Sequence, residues 1–290
     1  MVNVVVNAMK GNQLKCKHCK KIFPNHLKGF NDKVFHELIH DVSMPKKKVF
    51  EHVDIKYELP ELKRKNLDGR RVYVDEEGNQ YESTTNVVGF RDKQGLQKWR
   101  DAVGEDVANY VSGKAMGIGT KMHNTIELYL NNLPLVETNL LANAHFNNIK
   151  KLVNNISNII GVETRLCSKE LGLAGTADCI AEYDGKKSII DFKTSSKQKK
   201  EDWINKYFLQ TTAYSLMWEE LTGEKIEQIV ILISGEDGSL DEFVHKRDDY
   251  VEDLYEIIYE YKTGGGLFFW KKKHSWKIIN DKNSTYIVTQ

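Results

Sequence analysis

Gly175-Thr176-Ala177-Asp178-Cys179-Ile180-Ala181-Glu182-Tyr183-Asp184-Gly185-Lys186-Lys187-Ser188-Ile189-Ile190-Asp191-Phe192-Lys193 is the stretch from which the rest of the chain is read. Asp184-Gly185 between two β-prone runs is a strong signal for a two-residue hairpin. In the second run Asp191 and Lys193 share one strand face, and Ile190 and Phe192 enter the opposite packing layer. In the first run Asp178 shares a side with Thr176 and Ile180. Closing the hairpin brings Asp178 and Asp191 to one end of a sheet. Two carboxylates in an apolar setting repel, and each is costly to keep charged. A divalent cation relieves both problems, and oxygen ligands favour a hard ion, Mg²⁺ or Mn²⁺. Lys193 beside such an ion can orient a water or offset charge on a phosphoryl oxygen. A metal, a water and a cation at one point meet the needs of phosphodiester hydrolysis.

The flanks carry a resemblance. Asp178 followed by Asp191-Phe192-Lys193 resembles the D…(D/E)-x-K signature of the PD-(D/E)XK nuclease superfamily. Gly119-Thr120-Lys121-Met122-His123 is similar to the GxxxH helix of its RecB-type branch. Glu163 resembles the glutamate that opens the first core strand, and Gln210-Thr211-Thr212-Ala213-Tyr214 resembles the QxxxY helix. The spacing is most similar to the phage and mitochondrial-genome-maintenance type of single-strand exonuclease, over residues 50–235 or so. A lone D-x-K is common, but five elements in the right order are specific. The resemblance implies a restriction-endonuclease-like α/β fold, with a mixed central sheet flanked by helices. It implies metal held by Asp178, Asp191 and the Phe192 carbonyl, with His123 completing the set. Lys193 then positions the water, Glu163 sits near the site, and Gln210 and Tyr214 hold the strand. Thr194 and Ser195, leaving the sheet beside the metal, are candidate contacts to the substrate backbone.

A formal charge of +1 over 290 residues excludes a globally basic nucleic-acid coat. The basic residues are clustered instead, at 15–21, 46–48, 63–65 with Arg70-Arg71, 197–200 and 271–273. Such clusters can follow a phosphate backbone, although a single cluster is as often a solvated face. No apolar run is long enough for a membrane span. The start of the chain has neither a secretory nor a transit-peptide layout, and four cysteines do not make a disulfide scaffold. A reducing cytoplasm is expected, that of a bacterial host if the chain is phage-encoded. With no cysteine after Cys179, no iron–sulfur cluster is expected. Cys167 and Cys179 read as small buried strand residues.

Near the N-terminus, Cys16, Cys19, His36 and His40 form C-x₂-C…H-x₃-H, a structural zinc (Zn²⁺) pattern resembling a C2H2 finger. Its central gap of sixteen residues is slightly long, and His18 and His26 are also within reach. Residues 1–45 are therefore expected to be a zinc module with a linker, and 46–290 the nuclease domain. Arg71–Val74 and Gln80–Thr85 read as a hairpin. Ser83, Thr84 and Thr85 are phosphate candidates, with strand packing the blander role. Residues 92–116 read as one helix packing Leu96, Trp99, Val103, Val107 and Tyr110 inward, broken at Gly117–Thr120 before the helix of His123 and Glu127. Residues 138–160 read as a second long helix, before a strand over Val162–Ser168. A third helix, about 201–221, places Trp203, Tyr207, Gln210 and Tyr214 on one stripe. Gln228–Ser234 reads as a strand buried on both faces, Leu240–His245 as its partner and Asp248–Tyr261 as a final core helix.

The function expected is a Mg²⁺- or Mn²⁺-dependent DNA exonuclease acting on ends, single-stranded DNA foremost, in replication, recombination or DNA degradation. A replication or recombination protein is an expected partner, and a membrane is not. The alternatives are a structure-specific endonuclease and an inactive DNA-binding accessory protein on the same fold.

Overall fold

The computed structural model describes residues 14–15, 22–23, 48–67, 69–136, 138–264, 277–281 and 284–288. Contacts divide the chain into two units, Met1–Val49 and Phe50–Gln290. In the first, β1 (Leu14–Lys15) pairs antiparallel with β2 (Ile22–Phe23). Cys16, Cys19, His36 and His40 lie outside the described residues, as does the aromatic and basic stretch 265–276.

The second unit is built on one mixed sheet. Its strands are β3 (Lys63–Leu67), β4 (Arg70–Val74), β5 (Gln80–Ser83), β6 (Ile156–Ser168), β7 (Leu173–Tyr183), β8 (Lys186–Ser195), β9 (Gln228–Gly235) and β10 (Leu240–Lys246). The order along the sheet is β10-β9-β8-β7-β5-β4-β3, and β6 also pairs with β7. β8 and β9 run parallel, as do β5 and β7; every other pair is antiparallel. Asp184 and Gly185 adopt φ 49° and 76°, the left-handed pair that a two-residue hairpin demands. The β7–β8 ladder runs from Tyr183–Lys186 to Cys179–Ile190 and stops. Beyond that point β8 stays with β9 as far as Ser195–Gly235, while β7 takes β5 at Leu173–Ala174. The central strands therefore fork immediately after Cys179 and Ile190.

Helices cover both faces. They are α1 (Thr84–Val88), α2 (Asp92–Val103), α3 (Glu105–Leu130), α4 (Leu140–Val153), α5 (Asn205–Thr222) and α6 (Val251–Thr263). Met122, Ile126 and Leu130 of α3 and Phe146, Ile149 and Val153 of α4 pack with Cys179, Ala181, Ile190, Phe192, Val230 and Leu232. On the other side, Leu209, Ala213 and Met217 of α5 and Leu254, Ile257 and Ile258 of α6 pack with Ile180 and Ile189. Strand alternation thus sends Ile190 and Phe192 to one layer and Ile189 to the other, as the sequence pattern requires. β9 is buried along nearly its whole length, and β10 pairs with it from Leu240 to Lys246. Cys167 and Cys179 are buried free thiols in strands. Among the described residues, no helix is long and apolar enough to cross a membrane.

Two helix expectations are corrected. The 92–116 helix breaks at Gly104, whose φ is 84°, and not at Gly117–Gly119. α3 continues through both later glycines, a cost of about 1 kcal/mol each that the burial of Ile118 and Met122 offsets. The apolar stripe expected as core is largely outside: Leu96, Val107 and Tyr110 are exposed, and Trp99 is half-buried. The 138–160 helix ends at Val153. Ile156 and Ile159 are buried in β6 instead, where β-branched residues suit a pleated surface. Here β6 bulges between Ser157 and Gly161, and Ile159 exchanges backbone hydrogen bonds with Glu51 and Val53. Trp203 belongs to a 3₁₀ turn, Glu201–Trp203, ahead of α5 and is exposed, so the expected stripe on α5 starts at Tyr207.

Candidate active site

The fork brings the sequence-predicted residues together. Where the β7–β8 ladder stops, the Phe192 amide donates to Asp178 Oδ2 at 2.9 Å, so a carboxylate takes the place of a strand carbonyl. Asp191 is buried one residue earlier on β8. Its Oδ1 accepts from Gln210 Nε2 at 3.1 Å, and the same amide nitrogen reaches the Tyr214 hydroxyl at 3.4 Å. Asp191 Oδ2 accepts no hydrogen bond of proper geometry; the Lys193 ammonium lies against it as an ion pair. Tyr207 places its ring 5.0 Å from Lys193 Nζ. Gln210 and Tyr214 are buried, one turn apart on α5, which is why that stripe holds an amide among aromatics.

From the other layer α3 presents His123, its ring edge-on to Phe192. Its Nδ1 is 3.5 Å from Asp178 Oδ2 and 3.9 Å from Glu163 Oε1. Register places Glu163 opposite Asp178, between the Val162–Cys179 and Thr164–Ala177 pairs. Glu163 has φ 50°, a conformation that costs a non-glycine residue about 1–3 kcal/mol. One ligand atom from each of His123, Glu163 and Asp178 lies within 4.8 Å of the others. A divalent cation fits this donor set: two carboxylates, an imidazole and, beside them, Asp191, whose Oδ2 carries only its ion pair with Lys193.

The electrostatics express the same crowding. Burial raises the Asp191 carboxyl to about 6, against the pull of Lys193 and with the help of Asp178. For His123 burial works downward, but the charge of Asp178 and the Glu163 carboxylate outweigh it and hold the imidazolium up to about 9. Lys193 is desolvated too, yet Asp191 and Asp178 keep it above its ordinary value, hence protonated. Burial pushes the Tyr214 phenol well up, so it stays neutral.

These groups open onto a cleft of about 390 Å³. His123, Glu163, Asp178, Lys193, Gln210 and Tyr214 line it; Thr194 and Ser195 do not. Ser195 turns its hydroxyl to the Lys197 carbonyl at 2.5 Å. Thr84 is spent on the Ala174 carbonyl, whereas Ser83 and Thr85 do face the cleft, their hydroxyls 2.9 Å apart. Glu127, Asn124 and Thr120 extend the α3 wall, and Arg64 and Arg71 come from β3 and β4. Asn124 carried no signal in the sequence; the two arginines carried only that of a basic cluster. Gly175 is the one residue of β7 whose absent side chain shapes the site. A Cβ there would sit 2.6 Å from the Tyr214 ring and hydroxyl.

Residues 134–260 match the family model of the PD-(D/E)XK nuclease superfamily. Mitochondrial genome maintenance exonuclease 1 of Homo sapiens is 29% identical over 129 residues, which are 41% of this chain and 37% of the relative. The Mus musculus protein of the same name is 31% identical over 112 residues, 36% of this chain and 32% of the relative. The chain thus spans about a third of the length of the curated relatives it matches. A solved structure, a candidate exonuclease from Eubacterium rectale, has a TM-score of 0.36 and 15% identity, covering 53% of this chain and 69% of that one. The family match starts after α3, so it takes in every site residue named above except His123 and those contributed by β3–β5, α1 and the rest of α3. Residues 134–260 therefore match the PD-(D/E)XK nuclease superfamily in sequence, and the chain has the mixed, helix-flanked α/β sheet of that fold.

Proposed function

We propose that this protein is a metal-dependent nuclease that hydrolyses phosphodiester bonds of DNA from an end, single-stranded DNA foremost. The observation that carries this reading is the fork. Asp178, Glu163 and His123 converge on one point there, and the Lys193–Asp191–Gln210–Tyr214 chain stands beside it. The exonuclease names of the curated relatives support it.

In this reading Asp178 and Asp191 hold Mg²⁺ or Mn²⁺ with the Phe192 carbonyl, and His123 and Glu163 complete the site. The cation, when bound, supplies Lewis acidity to a phosphoryl oxygen and makes an attacking water more acidic. Lys193 is protonated, so it donates: it fixes the water and offsets charge building on the phosphorane oxygens. Gln210 holds Asp191 in its rotamer, and with Tyr214 it faces the strand. Thr194 and Ser195 are left to positioning β8. The zinc module, a replication or recombination partner and a cytoplasmic setting belong to the same reading and rest on the sequence alone.

The test pairs end-labelled linear single-stranded DNA with a circle of the same sequence, in Mg²⁺, with Asp191→Ala and Lys193→Ala alongside. Loss of the linear DNA only, abolished by both substitutions, is the expected result. Cutting of the circle would replace the exonuclease with an endonuclease. Intact DNA in all lanes, with Mn²⁺ and duplex substrates included, would leave a binding protein on a nuclease fold.

A further inference from the structure

The cleft has a second charged region that the metal chemistry does not use. Arg70, Arg91, Arg100 and Arg247 each have a carboxylate partner, and Arg165 donates to the Leu62 carbonyl. Arg64 and Arg71 have no side-chain partner among the described residues, and both line the cleft. Their placement follows from strand register. Arg64 stands opposite Tyr73 and Asn66 opposite Arg71, so all four side chains share one face of the β3–β4 hairpin. Arg64 and Arg71 are then diagonal neighbours, with backbones roughly 7–8 Å apart, close enough for two guanidiniums to meet on one anion. Tyr73 between them is buried at the cleft wall, and the Ser83–Thr85 hydroxyl pair lies on the same side of the opening. An unpaired arginine beside carboxylates would ordinarily form an ion pair with one of them. Here Glu163 and Asp178 face His123 and the Phe192 amide, and among the described residues no carboxylate, that of Glu127 on the same cleft included, lies within ion-pair distance of either guanidinium, leaving both available to an outside anion. A planar fork suits a phosphate oxygen pair better than any other anion of a nucleic acid.

We propose that Arg64 and Arg71 form a phosphate clamp, holding a phosphate of the bound strand other than the one cleaved, with Ser83 and Thr85 as additional donors. This rests on the nuclease reading above and deepens it: the cleft takes at least two phosphates, one at the fork and one at the hairpin. The clamp reads the backbone and not the bases, so it confers affinity and register without sequence preference.

The test uses the full chain and a labelled single-stranded oligonucleotide, followed by anisotropy over a salt series without divalent cation, and by cleavage kinetics in Mg²⁺. Arg64→Ala with Arg71→Ala is expected to weaken binding on the order of 10-fold or more at low salt. It also lowers the slope of log affinity against log salt by ~0.7, for the one phosphate charge left without its arginines. KM rises and kcat is kept. Both residues are exposed, so the melting temperature is unchanged. Arg70→Ala, adjacent in sequence but facing Glu82, leaves the slope alone. Lysine at both positions restores the slope but only part of the affinity, because the fork geometry is lost. Equal effects on 5′-phosphorylated and 5′-hydroxyl strands assign the clamp to an internal phosphodiester; an effect confined to the former assigns it to a terminal phosphate. A wild-type protein that binds and cleaves, beside a double variant with unchanged slope and KM, overturns the clamp and leaves the nuclease standing. A wild-type protein that neither binds nor cleaves takes both down.

Discussion

The two ends of the β7–β8 pair are made by the same strands and have opposite chemistry. At the hairpin end, Cys179 to Tyr183 face Lys186 to Ile190 in an unbroken ladder, and Ile180, Tyr183, Ile189 and Ile190 are fully buried. At the open end the ladder has stopped, and the next residue on each strand is an aspartate. Backbone groups at the hairpin end satisfy one another, so the side chains there are free to be apolar. At the fork the strands no longer supply each other with partners, and side-chain carboxylates accept in their place, as Asp178 does from the Phe192 amide. A charged cluster can thus sit one residue from the core without interrupting it. The closed end holds the fold, and the open end holds charge that is only partly compensated.

The largest effect that would test this division is on cleavage. Asp178→Asn keeps an acceptor for the Phe192 amide but removes a charge; cleavage should fall on the order of 10³-fold or more with the melting temperature little changed. A variant that unfolds instead would show the fork to be structural. The converse is Ile190→Ala, one residue before Asp191 but at the end of the ladder. It should cost about 2–5 kcal/mol in denaturant unfolding, with kcat of the folded fraction largely kept.

The third effect is on pH. Without metal, His123 is held protonated to about 9, so the stability it contributes is complete below its unfolded value of about 6.5 and is lost as pH rises through about 9. Asp191, raised to about 6 by burial, acts in the same direction: its contribution is present below about 4 and gone above about 6. The metal-free protein should lose on the order of a few kcal/mol between pH 6 and 9 by thermal melting, about 1.4 kcal/mol per unit of pKa shift. Mn²⁺ should flatten that curve, because the cation takes the place of the bound protons. A flat curve without metal would mean that Asp178 and Glu163 do not couple to His123. The smallest effect is at Glu163. Glu163→Gly relieves the left-handed backbone and should stabilise the metal-free fold by about 1 kcal/mol above pH 9, where the His123 charge that Glu163 faces is gone, while Mn²⁺ affinity by calorimetry drops about 10–100-fold. Unchanged affinity would remove Glu163 from the metal set.

Local signals were sufficient for the elements around the fork. Asp184-Gly185 admits the left-handed pair a two-residue turn needs. The parity of Ile190, Asp191, Phe192 and Lys193 assigns their faces before any partner is known. The one-turn spacing of Gln210 and Tyr214 puts both on one side of α5. In each case the determining interaction lies within a few residues, so the sequence alone was enough. The apolar run of β9 is similarly explicit, because a strand buried on both faces has no room for alternation.

Tertiary structure decided the remainder. Gly104, Gly117 and Gly119 are equivalent as letters. Only the first adopts a positive φ, and the helix runs through the others because Ile118 and Met122 have a sheet to pack against. Ile156 and Ile159 continue the helical spacing of α4, yet they enter β6 because β7 and the 51–53 segment take up their backbone groups. The left-handed backbone at Glu163 has no local signature; it falls where β6 stands opposite Asp178 of β7. Arg64 and Arg71 are indistinguishable in sequence from Arg70, and it is the register of β3 on β4 and of β4 on β5 that turns two toward the cleft and gives the third to Glu82. Sequence specified the residues whose conformation is set by near neighbours. The fold specified those whose role depends on what stands across a sheet or a cleft, where the partner is remote in the chain and the energy that chooses is packing or unpaired charge.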